Sequence, residues 1–551
     1  MNVLCQGAPF CTAHMLLDLY EGRHDIRLIG IDEEAQCRFD PLRDTMNDIV
    51  ERLGPTWRPD LFLCWTPEIY PPPLRIEDSP IPTVAMVSDW HIYYPVLAKN
   101  LARFDVVLCD KAGVKVLENA WVAPQHLFPL YSQVSTLHKP HAVPRDLDVV
   151  YAGSLNAATH HRRAQYLERL ARLAGRYNIE IVSGVMGDDY ARLLSRAKTV
   201  FNCTLRGELN LRVFETLACG AVPFVEEENL EVRDWFQDAV EVVLYNWENL
   251  EHRLEQVLKR PDEATAIAAR AQNRAAGFAG ENRLDALIEW AAEQHSGGRP
   301  FRQFPPDERT YQDLLLFGLS RWPVYAPLGE LLVLRLTKTL PKDPRVWTAL
   351  ARFLLGHEEG QDAERSTKAF LQAHRLNRAS APYALNAATA CRARGLQDLE
   401  AEYLDAVLHA ETLDGAELVV GNPECPFWIR WGRAVATKTA ALDMLRAEAR
   451  IRLATILARR GQAPLAEEHL ARAALEDPDN YKGVELCAEI LWNTERKAEA
   501  ADMLAKNLVN LPLNMRARNR LREMLEALGR NDAAHALAEE ANTIARAYRA
   551  K

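Results

Sequence analysis

Arg212 and Glu215 are the residues of this chain whose types and spacing most directly permit chemistry. They lie in Asn210-Leu-Arg212-Val-Phe-Glu215-Thr-Leu-Ala-Cys219-Gly220-Ala-Val-Pro223. Leu211, Phe214, Leu217 and Ala218 recur at helical spacing, and Gly220 is placed to end the helix. The apolar run Ala221–Val225 then reads as a buried strand. A cation and a carboxylate one turn apart, beside a strand end, can hold a sugar nucleotide, with Arg on phosphates and Glu on ribose hydroxyls. The alternative is an ordinary helix with a solvated Arg and Glu.

A second constellation precedes it. Asp146-Leu-Asp-Val-Val-Tyr-Ala-Gly153-Ser154 is an apolar strand running into Gly-Ser, where backbone N–H groups can meet a phosphate without a Cβ in the way. His160-His161-Arg162-Arg163 follows at a helix start, a place that favours anions. Arg162 and Arg163 are neighbours on a helix, so one of the two should face a ligand. Earlier, Ser88-Asp89-Trp90-His91 stands at the C-terminal end of an apolar strand, where parallel sheets bind ligands. Asp89 and His91 are therefore candidates for acceptor or sugar hydroxyls, or else a turn with an Asp cap. Cys219 has no base beside it and reads as packing. Asp188-Asp189 reads as a helix cap, and no convincing metal motif is present.

The core Arg-Val-Phe-Glu-x-Leu-x-Cys-Gly-Ala, with the strand-Gly-Ser-Arg segment about 60 residues before it, resembles the retaining GT-B glycosyltransferases of the group 1 (family 4-like) type. The branch it is most similar to contains spore-maturation-type proteins. The resemblance covers residues 1 to about 295. It implies a nucleotide-sugar donor, UDP- or GDP-linked, no other cofactor, no metal, and retention of anomeric configuration. It places Gly153, Ser154, Arg162 or Arg163, Asn210, Arg212 and Glu215 on the donor, and Asp89 and His91 in the catalytic half of the cleft. One departure stands out. The family has a first glutamate eight positions before the second, where this chain has Gly207, so either Glu208 shifts into that catalytic role, or Asn210 and backbone amides replace it, Glu208 then being a surface-loop residue.

The elements that must position these residues follow an α/β pattern over 1–295. Strands are expected at Val3–Gln6, Asp25–Ile31, Leu61–Trp65, Thr83–Ser88, Val106–Cys109 and Leu127–Leu130 in a first half, 1–138. A second half, 139–295, has Leu147–Gly153, Ile179–Ser183, Thr199–Asn202, Ala221–Val225 and Glu241–Leu244, with helix 279–295 expected to close it. The expected fold class is thus α/β GT-B, two Rossmann-like domains, followed by an all-α repeat domain. A Gly/Pro-rich linker, 296–308, leads to residues 309–551, rich in Ala, Leu, Arg and Glu. There, 447–480, 481–514 and 515–548 are consecutive blocks of 34 residues. Leu457, Leu491 and Leu525 coincide, as do Ala466, Ala500 and Ala534, which is the tetratricopeptide length. Blocks 344–377 and 378–411 match less closely, and 412–446 interrupts the register.

Composition bounds the rest. With 551 residues, 48% hydrophobic and 26% charged, the chain has room for two to four ordinary globular domains. A net charge of −10 without a basic domain argues against nucleic acid. Ten cysteines without Cys-x-x-Cys or zinc spacing read as buried thiols in a reducing compartment. No leader or run of 18 apolar residues is visible, so a cytoplasmic location is expected. A concave repeat surface suits an extended protein partner, such as a flagellar or surface-layer acceptor, or self-association as a homo-oligomer. The rival class is a lapsed GT-B scaffold that assembles proteins.

Overall fold

The computed structural model describes residues 1–6, 22–31, 35–41, 43–65, 67, 72–87, 90, 100–118, 124–125, 134–155, 161–295, 316, 326–355, 360–415, 438–478, 480, 482–508 and 515–548. The first sheet contains β1 (Asn2–Gln6), β2 (Asp25–Gly30), β3 (Cys37–Arg38), β4 (Leu61–Trp65), β5 (Thr83–Met86), β6 (Val106–Leu108) and β7 (Pro124–Gln125). Their spatial order is β3-β2-β1-β4-β5-β6-β7, and every neighbouring pair is parallel. Strands buried on both faces must be apolar throughout, as Leu61-Phe-Leu-Cys-Trp65 is. Phe62 and Cys64 enter one apolar cluster with Leu4 and Ala85, while Leu61 and Leu63 enter the opposite one with Val3 and Val84. The short β3 and β7 carry no sequence pattern of their own. The expected strand at Leu127–Leu130 lies outside the described residues.

The second sheet contains β8 (Leu147–Ala152), β9 (Ile179–Val182), β10 (Ala197–Phe201), β11 (Val222–Glu226) and β12 (Val243–Tyr245). Its order is β12-β11-β10-β8-β9, again parallel throughout. The helices of the two halves are α1 (Met46–Leu53), α2 (Lys111–Glu118), α3 (His161–Ala171), α4 (Gly187–Arg196), α5 (Leu211–Cys219), α6 (Val232–Trp235), α7 (Leu250–Lys259), α8 (Pro261–Ala275) and α9 (Gly280–His295).

Helix α9 departs from expectation. Its Leu284, Leu287, Ile288 and Ala291 complete the cluster formed by Val3, Cys5, Leu61 and Leu63, so it covers the first sheet and not the second. Arg23, just before β2, donates to Asp285 of this helix from its backbone N (3.3 Å) and its Nε (3.2 Å). An apolar stripe fixes which face of a helix is buried but not which of two apolar sheets receives it.

Beyond residue 325 the described structure is helical: α10 (Ala326–Thr339), α11 (Pro344–Leu355), α12 (Gly360–Leu376), α13 (Ala381–Ala393), α14 (Gln397–His409), α15 (Lys438–Arg459), α16 (Ala463–Glu476), α17 (Lys482–Asn493), α18 (Lys497–Asn507), α19 (Met515–Ala527) and α20 (Asn531–Ala547). From α11 onward, consecutive helices pack in pairs. Ala466, Ala500 and Ala534 are all buried, where a small side chain lets helices approach. Among the described residues, no helix is long and apolar enough to cross a membrane.

The helical array is attached at both ends. Val333 and Leu336 of α10, with Val346 and Ala349 of α11, continue the core of the first half. Ile544 and Ala547 of α20 join Leu173, Ile179 and Ile181 in the core of the second half. Tyr548 pairs with Ile181 as a parallel bridge along β9, the edge strand, covering an otherwise open row of backbone groups.

The turns inside the helix pairs show one local conflict. Gly461 and Gly529 adopt φ of 75° and 72°, and Glu495, one 34-residue period from each, is held at 63°. A left-handed backbone costs a residue with a Cβ roughly 1 kcal/mol. The exposed Glu495–Lys497 ion pair offsets little of that. Glu495→Gly is therefore expected to stabilise the protein by about 0.5 kcal/mol at most after the added chain entropy. Thermal unfolding measures this, and a lowered Tm would count against the assigned turn.

Candidate functional site

The second sheet reverses its winding between β8 and β10, since β9 lies on one side of β8 and β10 on the other. Ligands of parallel sheets bind outside the carboxyl ends of the strands at such a point, where the connecting loops diverge. Arg212 spans it. From the first turn of α5, its Nε donates to the carbonyl of Ala152, the last residue of β8, at 2.7 Å. Its Nη1 donates to Asn202 Oδ1, just past β10, at 2.9 Å. The guanidinium lies 4.6 Å from the centre of the Tyr151 ring. Burial works against its charge, but the nearby Tyr151, Tyr190, Glu215 and Glu226 hold its pKa above the ordinary value.

Gly153 is required by this arrangement. A Cβ there would collide with Arg212 Nη2 and come within 2.9 Å of the Tyr151 hydroxyl. That hydroxyl donates instead to the carbonyl of Ser154 (3.1 Å). Of the two adjacent arginines, Arg163 is buried: its Nε donates to the Cys203 carbonyl at 2.9 Å, and it lies 6.0 Å from the Tyr151 ring centre. Arg163 and Arg212 thus share one aromatic ring. Arg162 points elsewhere, pairing with Glu228 at 3.1 Å and lying over Tyr166.

Glu215, one turn after Arg212, is buried, and burial pushes its carboxyl up to about 7 although Tyr190 and Arg212 pull it down. Tyr190 of α4 donates to its Oε2 at 2.8 Å, and His138 Nε2 stands 3.6 Å from its Oε1. Asn210 occupies the N-cap position of α5 without a side-chain capping bond, and its Oδ1 has no partner.

Glu208 does not join this group. Its Oε2 accepts from the Arg206 backbone N at 2.8 Å, and its Oε1 lies 3.7 Å from Arg206 Nη2. Arg206 reaches across to the first half, where its Nε donates to Asp110 Oδ2 at 3.1 Å. Asp110 also accepts from Trp90 Nε1 at 3.1 Å. Beside this pair, Glu231 accepts from the backbone N of Lys111 (3.0 Å) and of Leu209 (2.8 Å), and Lys111 pairs with Asp234. Glu208 is thereby tied into a buried polar lock between the halves. Gly207, between Arg206 and Glu208, adopts φ of 84°.

Asp89, His91 and His160 lie outside the described residues. Trp90, between the first two, supplies the contact to Asp110. Sequence reasoning missed Tyr190, His138, Asn202 and Tyr151. They stand 10 to 77 positions from the residues they serve; Tyr151 lies within the strand-Gly-Ser segment, but nothing in the sequence marked any of the four for that role. Among the described residues, no group of three His, Cys, Asp or Glu is placed to hold a metal ion.

The second half is therefore a doubly wound α/β unit with a cationic site at its switch point. Residues 140–289, which carry that site, match a family described as Glycosyl transferase-like. No curated protein matches the chain. Similar solved structures include sucrose-phosphate synthase from Thermosynechococcus elongatus, 11% identical over 54% of this chain and 100% of that one, with a TM-score of 0.40. Anabaena HepE in complex with UDP is 13% identical over 53% of this chain and 100% of that one, with a TM-score of 0.39. The pneumococcal O-GlcNAc transferase GtfA in complex with UDP and GlcNAc is 12% identical over 42% and 56%, with a TM-score of 0.32.

Proposed function

We propose that the protein is a glycosyltransferase that moves a sugar from a nucleotide-sugar donor, UDP- or GDP-linked, to an acceptor. The observation that carries this reading is Arg212 bridging the ends of β8 and β10 beside Gly153, with Glu215 one turn away, inside the segment that matches the Glycosyl transferase-like family. A guanidinium held by two neutral acceptors keeps its charge available to a diphosphate. Breaking the glycosidic C–O bond leaves negative charge on the departing diphosphate. Arg212, with Arg163 on the same ring, is placed to neutralise it without a metal. Glu215 takes the ribose hydroxyls. By the family resemblance the reaction retains configuration; its place is the cytoplasm.

The acceptor is a protein, such as a flagellar or surface subunit, recruited by the helical array read as tetratricopeptide-type repeats. Self-association through the array is the rival role. One observation favours a second reading, a lapsed scaffold: Glu208, next to the position of the family's first glutamate, is committed to Arg206. A screen of nucleotide sugars with the full chain, following hydrolysis and transfer to host-cell extract, separates the two. Turnover of a donor supports the enzyme; absence of turnover together with absence of nucleotide-induced stabilisation favours the scaffold.

A further inference from the structure

Resting on that reading, we infer that Tyr190 and His138 are positioning residues that hold the Glu215 carboxylate in place for the ribose of the bound nucleotide. Neither belongs to the α5 motif. Tyr190 comes from α4, and His138 comes from the segment that joins the two halves. They approach different oxygens of one carboxylate, Tyr190 at Oε2 and His138 at Oε1.

The geometry fixes the proton positions. Val134 N–H donates to His138 Nδ1 at 3.0 Å, so the neutral ring carries its hydrogen on Nε2, toward Glu215. Burial holds His138 down to about 4, which keeps it neutral near pH 7. The contact is therefore a neutral N–H facing a carboxylate, not an ion pair. Tyr190 is buried so deeply that its hydroxyl stays protonated and can only donate to an ionised Glu215. The His138 and Tyr190 rings meet edge to face with centroids 6.2 Å apart, so each limits the movement of the other.

Among the described residues, four titratable groups face Glu215: Tyr190 from α4, His138 from the joining segment, and Arg212 and Cys219 from α5 itself. Burial pushes the Cys219 thiol up to about 12, so Arg212 is the one charged member of this set near neutrality. A carboxylate can accept hydrogen bonds from both hydroxyls of a vicinal diol. A protonated carboxyl has one oxygen committed as a donor and binds the diol less well. With Glu215 titrating near 7, its ionised fraction near neutrality depends on the Tyr190 hydrogen bond, which favours the charged form. Nucleotide affinity should then rise with pH through that value.

The test measures the affinity of the full chain for UDP and for GDP from about pH 6 to about pH 9, bracketing the Glu215 titration. Wild type should bind one of them more tightly as pH rises, and Glu215→Gln should remove the step. Tyr190→Phe keeps the buried ring and deletes only the hydroxyl. It should move the midpoint upward by about one pH unit, weaken binding several-fold near pH 7, and approach wild-type affinity at the alkaline end. His138→Gln, which retains an N–H donor, should hold the midpoint closer to wild type than His138→Phe does. A Tyr190→Phe midpoint equal to wild type overturns the inference while leaving the nucleotide site standing. Binding that does not vary with pH in wild type does the same. Wild type that binds neither nucleotide at any pH overturns the proposed function and this inference together.

Discussion

Arg518→Ala is expected to lower the stability of the folded protein by about 3 kcal/mol and to release its last helix pair. Arg518 is 1% exposed and pairs with Glu168 of α3 and, at 2.8 Å, with Glu540 of α20. Glu168 is itself buried, so deleting the guanidinium takes a buried cation from a carboxylate away from water and leaves the half-exposed Arg172 (2.8 Å) beside it. Leaving one charge unpaired costs more than the pair contributes, because the desolvation of the survivor is no longer offset. The change should appear as a lowered Tm and as faster proteolysis. A double variant, Arg518→Met with Glu168→Leu, removes both buried charges and should recover most of the loss. An unchanged Tm in Arg518→Ala would mean that α19 and α20 do not dock on the second half.

The same contacts bear on the separability of the halves. A chain ending before residue 296 would uncover Ile179, Ile181 and Leu173, which α20 now covers, and the surface of the first half that receives α10 and α11. Loss of activity on such truncation would report unfolding as readily as loss of acceptor recruitment. Point changes on the exposed faces of α13–α18 test recruitment more cleanly.

Arg212→Ala should lower donor turnover on the order of 10²–10³-fold, the range for loss of one preorganised donor to developing negative charge. Nucleotide affinity should fall as well, by about 1.5–3 kcal/mol for a charge-assisted contact. Because Ala152 O and Asn202 Oδ1 lose their donor, a modest drop in Tm should accompany it. Arg212→Lys should not restore activity. One ammonium cannot reproduce the planar fork that meets two strand ends and still presents a third nitrogen at Gly153. Single-turnover kinetics and nucleotide titration on variants whose circular dichroism matches wild type would measure both effects. Full turnover in folded Arg212→Ala would remove this residue from the site.

How much of this was legible in the sequence differs by element. The α5 segment carried its own evidence: apolar residues at helical spacing, a terminating glycine that indeed adopts φ of 72°, and Arg212 and Glu215 one turn apart. The end of β8 was legible too, as an apolar run that stops at Gly153. Strand positions followed from runs such as Leu61–Trp65, whose burial on both faces permits only apolar side chains. All of these are consequences of local geometry, which acts over a few residues and leaves a pattern.

What surrounds those residues was settled only when distant segments met. Whether Glu208 faced a sugar or a neighbour depended on Asp110, nearly a hundred positions earlier, being brought against Arg206. Helix α9 carries an apolar stripe equally suited to either sheet, and packing alone assigned it to the first. Arg518 reads in sequence as one more cation on a helix. It became a buried partner of Glu168 because the array returns to the second half. Tyr190 and His138 acquired their meaning from a carboxylate on another element. Chain periodicity determines which side chains leave water; only the tertiary structure decides which charges and donors then share the interior, because pairing energies depend on distance in space and not on separation along the chain.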